Sequence, residues 1–124
     1  MLDAAERQQL PTGDGQDVAS EVIHFIRTGI GGYTIVPPDL VEHLVQDIGS
    51  RVNSGEKKYG VRLKTNNGRN ATLDAYQEIL DFLNYSIQGY LEGKEGFLEL
   101  FEGALSIAIT VKLMLLEQET KVQL

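Results

Sequence analysis

The chain has 124 residues, a hydrophobic fraction of 42% and no cysteine. That is enough apolar material for one domain with a real core, and it excludes disulfides and thiolate metal centres. A net charge of −7 argues against generic binding to nucleic acid or anionic membrane, so any polyanion contact has to be local.

Residues 1–17 are polar, hold Pro11, Gly13 and Gly15, and read as a flexible N-terminal arm ahead of a single helical domain over residues 18–124. The arm lacks the basic start and apolar centre of a secretory signal. Val18, Val22, Phe25 and Ile26 recur at helical spacing and predict a short first helix. It stops at Gly29-Ile30-Gly31-Gly32, which reads as a turn; no strand precedes it, as a phosphate loop would require.

Pro37-Pro38-Asp39 opens the first long helix, since proline suits the first turn and an early acid complements the helix dipole. Leu40, Val41, Leu44, Val45, Ile48 and Val52 form its apolar stripe, and Asn53-Ser54-Gly55 is its expected fraying point. Residues 56–69 read as a connector with a turn at Asn66-Asn67-Gly68. A short hairpin around Val61 and Leu63 is the other reading of this stretch. Asn70 or Thr72 caps the next helix, which runs to about Glu92 with Leu73, Tyr76, Leu80, Leu83, Ile87 and Tyr90 on one side and Ile79 and Phe82 widening the stripe. Gly93-Lys94-Glu95-Gly96 makes a tight turn into a last helix over residues 97–119. The expected fold is therefore all-α: three long helices plus a short N-terminal one.

Residues 104–116 are apolar on nearly every side apart from Lys112. A helix of that kind is covered all round, which one small bundle cannot do, so the chain is expected to form a homodimer or higher oligomer. The run is too short to span a bilayer, which takes roughly 20 apolar residues. Together with the missing signal and cysteines this reads as a cytoplasmic protein with no membrane partner.

Charge is unevenly placed. Arg51, Lys57, Lys58, Arg62, Lys64 and Arg69 fall in residues 51–69 against the single acid Glu56. The helix that follows carries Asp74, Glu78 and Asp81 in one narrow wedge, continued by Tyr85 and Glu92 and flanked by Gln77, Asn84 and Gln88. One reading is a solvated polar face and a solubilised loop, with Arg51 paired to Asp47. The other joins the two features chemically. No cation on the same helix relieves the three carboxylates, and mutually repelling carboxylates become favourable when a divalent cation binds. Magnesium takes one or two carboxylates and completes its shell with water and phosphate oxygens. Glu78 and Asp81 are one turn apart and could share a metal, with Asp74 or Glu56 supplying a second. An activated water could then attack phosphorus while Lys57, Lys58, Arg62, Lys64 and Arg69 neutralise a leaving pyrophosphate. His24 and His43 lack any metal-ligand spacing, and no serine-nucleophile motif is present.

The runs RVNSGEKKYGVRL and NNGRNATLDAYQEILDFLNY resemble the small phage-type, MazG-like all-α nucleotide pyrophosphohydrolases. The pattern falls on Arg51, Gly55, Glu56, Lys58, Tyr59, Gly60, Asn67, Gly68, Arg69, Asp74, Ala75, Tyr76, Glu78 and Asp81, within residues 37–90. The resemblance implies a helical, usually dimeric enzyme of dNTP metabolism that hydrolyses a (deoxy)nucleoside triphosphate to the monophosphate and pyrophosphate, using Mg2+ with Mn2+ as a substitute. It implies metal ligation by Glu78 and Asp81, with Asp74 and Glu56 as further ligands, and Glu56 and Glu78 as the catalytic carboxylates. Tyr59, Asn84 and Tyr85 become the candidates for nucleoside contact, and Lys58 and Arg69 for phosphate. The Glu-Glu-x-x-Glu usual on the earlier helix of that group is missing; Glu42, Asp47 and Glu56 do not reproduce it. Either Glu56 and Asp74 complete the site, or the chain is a nucleotide sensor without catalysis. The remaining alternative is a non-enzymatic helical dimer that binds a partner protein or nucleic acid through residues 51–69.

Overall fold

A computed structural model describes Gln8, residues 15–33 and residues 35–123. It contains four helices among the described residues: α1 (Val18–Thr28), α2 (Pro38–Tyr59), α3 (Ala71–Leu91) and α4 (Phe97–Gln123). The all-α expectation is met. The chain divides into two compact units, one with α1 and α2 within residues 9–69, the other with α3 and α4 within residues 70–124 together with Gln8.

In the first unit, α1 begins where the Asp17 carboxylate accepts a hydrogen bond from the Ser20 N–H. It ends at Gly29, and Ile30 and Tyr33 then close a two-residue turn through mutual backbone bonds of 2.9 and 3.2 Å. Both central positions, Gly31 and Gly32, have φ near +62° and +84°, the geometry of a primed turn that side chains disfavour. This is the plain turn expected from the glycine cluster.

Helix α2 outruns its expected fraying point. It passes through Asn53, Ser54 and Gly55 and ends at Tyr59, with Gly60 left-handed and its N–H donating to the Glu56 carbonyl. Three weak helix formers in a row cost the helix on the order of 2 kcal/mol. Glu56, Lys57 and Lys58 are good formers, and the two lysines sit in the last turn, where cations complement the dipole. Those residues therefore belong to a helix end; the connector is shorter than the sequence suggests. Within α2 none of the apolar stripe is fully buried: Val41, Val45, Ile48 and Val52 are half-buried, and Leu40 and Leu44 are exposed.

The second unit is an antiparallel helix hairpin. On α3 the inward stripe is Thr72, Tyr76, Ile79, Leu83 and Ser86, bordered by the buried Leu73; on α4 it is Phe97, Phe101, Ala104, Ala108, Val111 and Leu115. Both alternate steps of three and four, the seam of two helices crossing at a shallow angle. Contacts run in reverse order along the pair. Gly89 meets Phe97 beside the turn, the Lys112 ammonium lies 5.4 Å from the centre of the Tyr76 ring midway, and Gln118 donates to the Thr72 hydroxyl at the open end. Leu73 and Leu115 are 1% and 2% exposed and anchor the core, with Ala104 and Ala108 filling narrow positions between the helices. Ser86 is buried too, but its hydroxyl donates to the Phe82 carbonyl one turn back, so nothing polar is orphaned.

Within a single chain α4 is covered on one side only. One stripe is buried, whereas Ile107, Ile109, Leu113 and Met114 remain more than half exposed. No helix among the described residues is long and apolar enough to cross a membrane.

The closest approach in the hairpin sets a first test. A Cβ added at Gly89 would lie 2.0 Å from Cδ2 and 2.7 Å from Cγ of Phe97, and the ring cannot yield without leaving the seam. Gly89→Ala is expected to destabilise the protein by about 1–3 kcal/mol although alanine is the better helix former. Leu73→Ala is expected to cost about 2–5 kcal/mol. Chemical denaturation at equilibrium measures both, and an unchanged or raised midpoint for Gly89→Ala would contradict the described contact.

Candidate functional site

The carboxylate wedge is held by the way α3 starts. Asn70 is the N-cap: its side-chain oxygen accepts from the Thr72 N–H at 3.0 Å and the Leu73 N–H at 3.2 Å. The Asn70 amide nitrogen also donates to Gln118 on α4. Gln8 closes the cap from the other side. Its side-chain oxygen accepts from the Asn70 N–H, while its nitrogen donates to the Asp74 carboxylate at 2.7 Å and to the Asn70 carbonyl at 3.3 Å. A distant glutamine thus performs what a capping-box residue performs locally.

With α3 rotated so that its apolar stripe meets α4, the opposite face carries Asp74, Glu78, Asp81, Tyr85 and Glu92. The sequence wedge is a real face. Glu78, Asp81, Asn84 and Tyr85 are exposed, and Glu92 accepts from Gln88 at 3.0 Å. Asp74 is half-buried and engaged by Gln8, which separates it from the other two: it helps to hold the helix start. Among the described residues neither Glu78 nor Asp81 forms an ion pair, and no three His, Cys, Asp or Glu side chains converge on a point that could hold a metal. What the face offers is a two-carboxylate set one turn apart. That fits magnesium, which is usually bound by one or two carboxylates with water and phosphate completing its shell.

The basic residues belong to the first unit. Glu56, Lys57, Lys58 and Tyr59 lie exposed in the last turn of α2, where the Lys58 ammonium stands 5.2 Å from the centre of the Tyr59 ring. Arg62 has a specific partner: its Nε and an Nη donate to both oxygens of Asp17 at 2.9 and 3.1 Å. This bidentate pair fixes the connector to the start of α1. Around it the Val18 N–H donates to the Leu63 carbonyl, the Thr65 N–H to the Gln16 carbonyl, and the Gln16 N–H to the Thr65 hydroxyl. Asp17 and Lys64 form an isolated antiparallel bridge. A phosphate role for Arg62 therefore has to compete with Asp17. Arg69 is half-buried and its N–H donates to the buried Asn67 side chain, which orders the end of the connector.

Reading the sequence as an arm up to residue 17 overlooks Asp17. The signal was present: an Asp immediately before the first apolar-periodic residue is an N-cap signature. The rest of the expected arm, apart from Gln8, Gly15 and Gln16, lies outside the described residues.

The pair makes a pH prediction. Hydrogen bonding from Arg62, then from Ser20, holds the Asp17 carboxyl well below the usual carboxylate range. A depressed folded-state pKa means that the contribution is complete above the ordinary Asp value of about 3.9 and is lost as pH falls through the folded value. Asn also caps helices, so Asp17→Asn removes the charge pair and keeps the cap. Thermal melts are expected to show the variant below the native protein near neutral pH, with the gap closing below about pH 4. Both side chains are partly exposed and water screens them, so added salt should also narrow the gap.

No protein-family model, curated protein or solved structure matches this chain.

Proposed function

We propose that the protein hydrolyses a nucleoside triphosphate, in a magnesium-dependent reaction, to the monophosphate and pyrophosphate. The observation that carries this reading is the pair Glu78 and Asp81: exposed, one turn apart on the α3 face turned away from α4, and without an ion-pair partner among the described residues. A helix face that was merely solvated would gain from an i,i+4 cation, and none is placed there. The clustering of Lys57, Lys58, Lys64 and Arg69 in an otherwise acidic chain supports it independently, because such cations take phosphate oxygens.

In this reading Glu78 and Asp81 hold the metal, with Asp74 as a further candidate ligand. Magnesium would supply positive charge to phosphate oxygens and make a coordinated water more acidic. Glu78 accepts a proton from the attacking water as its oxygen bonds to the α-phosphorus. The bond from that phosphorus to the bridging oxygen breaks, and the electron pair leaves with pyrophosphate. Asn84 and Tyr85 are exposed and are assigned to the nucleoside; an aromatic face suits a base, and an amide suits its polar edge.

The experiment is pyrophosphate release from each ribo- and deoxynucleoside triphosphate with magnesium or manganese. Turnover is expected with at least one nucleotide, lost with a chelator and restored by excess metal. Glu78→Gln and Asp81→Asn are each expected to lower kcat by roughly 10²-fold or more while leaving helicity unchanged. Absence of turnover with every nucleotide, in protein shown to be folded by circular dichroism, would refute the proposal. Nucleotide binding that persists without turnover would identify a sensor. Salt-sensitive oligonucleotide binding that depends on Lys57 and Lys58 would identify a nucleic-acid binder instead.

A further inference from the structure

The polar face of α3 continues past the two carboxylates. Asp81, Tyr85, Gln88 and Glu92 recur at steps of four, three and four, so they form one line along the helix, and all four are exposed. The line starts at a proposed metal ligand and carries an aromatic ring one turn on. It ends in a hydrogen-bonded pair, in which Nε2 of Gln88 donates to Oε2 of Glu92 at 3.0 Å.

That pair has a fixed chemical sense. A carboxylate only accepts, so the Gln88 amide turns its nitrogen to Glu92 and its carbonyl oxygen away. A carboxylate offers about four lone-pair sites, and Gln88 takes one of those on Glu92. The end of the line therefore presents acceptors. Helix stability does not explain the acid. Glu92 is the C-cap of α3, where the dipole opposes a negative charge, and the last turn holds no basic residue. Among the described residues Glu92 has no ion-pair partner.

Spacing sets the length of ligand that fits. Gln88 lies about 10 Å beyond Asp81 at ~1.5 Å per residue, the span of a nucleotide stretched from its α-phosphorus to the far edge of its base. We propose that the line selects guanine nucleotides. With the phosphates at Glu78 and Asp81, Tyr85 stacks on the base, and Glu92, held in place by Gln88, accepts from the N1–H and the N2 amine. Among the common bases only guanine presents two adjacent donors on that edge. Adenine and cytosine set a donor beside an acceptor, and uracil and thymine set one donor between two acceptors. Two parallel N–H groups match the two oxygens of a carboxylate, whereas the other edges turn a lone pair towards it. The choice of base rests on the nucleotide reading of this face and does not require hydrolysis.

Inosine triphosphate, which is guanosine triphosphate without the N2 amine, is the discriminating substrate. With magnesium, the full chain is expected to hydrolyse GTP with kcat/KM about tenfold above ITP, ATP, CTP and UTP, a modest ratio because Gln88 and Glu92 are exposed. Glu92→Ala is expected to bring GTP down to the ITP value and to leave ITP and the helicity unchanged. A residue that only supported the helix would move both substrates together. Equal values for GTP and ITP would overturn the inference and leave hydrolysis standing, and a GTP preference that survives Glu92→Ala would overturn it equally. If no nucleotide is turned over, hydrolysis is refuted and equilibrium binding decides. GMP held about tenfold more tightly than IMP, with the difference lost in Glu92→Ala, supports the guanine site; equal affinity, or no binding of either, overturns it.

Discussion

Close approach of α3 and α4 is the constraint on which the second unit depends. Gly89 against Phe97, and Ala104 and Ala108 along the same seam, let the two helices come near enough for Leu73 and Leu115 to be fully enclosed. A two-helix hairpin has few positions buried from all sides, so each one carries much of its stability. The same contact fixes the rotation of α3 about its axis. Once Thr72, Tyr76, Ile79 and Leu83 face α4, Glu78 and Asp81 have to face away. The candidate chemistry is thus a consequence of packing, and its carboxylates stand on a helix whose start is clamped by Gln8 and Gln118 through Asn70.

The first unit is held differently. It has little enclosed apolar surface: Ala19 is its one buried hydrophobic among the described residues. Its order comes from polar bonds at the start of α1, where the Asp17–Arg62 pair and the backbone bonds around it tie residues 16–18 to residues 62–65. The interhelical Arg27–Glu42 pair at 3.1 Å is largely exposed and adds little. Such a unit is expected to respond to pH and salt more than the hairpin does, since charges rather than apolar area hold its connector.

Two kinds of acid emerge from the wedge that looked uniform in the sequence. Asp74 works at the helix start with Gln8, while Glu78 and Asp81 have no such duty among the described residues. The basic segment divides in the same way. Arg62 is committed to Asp17, and Lys57 and Lys58 extend from a helix end into solvent. A functional reading gains from this division, because residues without structural work are the ones available to a ligand.

Periodicity and caps in the sequence determined the helices, since spacing of apolar residues and the chemistry of Asn70, Pro38 and the glycine turns are local properties. They determined the acidic face for the same reason: a helix converts spacing into direction without help from neighbours. The extension of α2 to Tyr59 was not legible, because weak formers at residues 53–55 are outweighed by the turn that follows them. The partnerships of Gln8 with Asn70 and of Asp17 with Arg62 were not legible either; they join residues 62 and 45 positions apart. Only the tertiary structure could decide which charges are spent on holding the chain, because that choice rests on long-range hydrogen bonds that leave no period in the sequence.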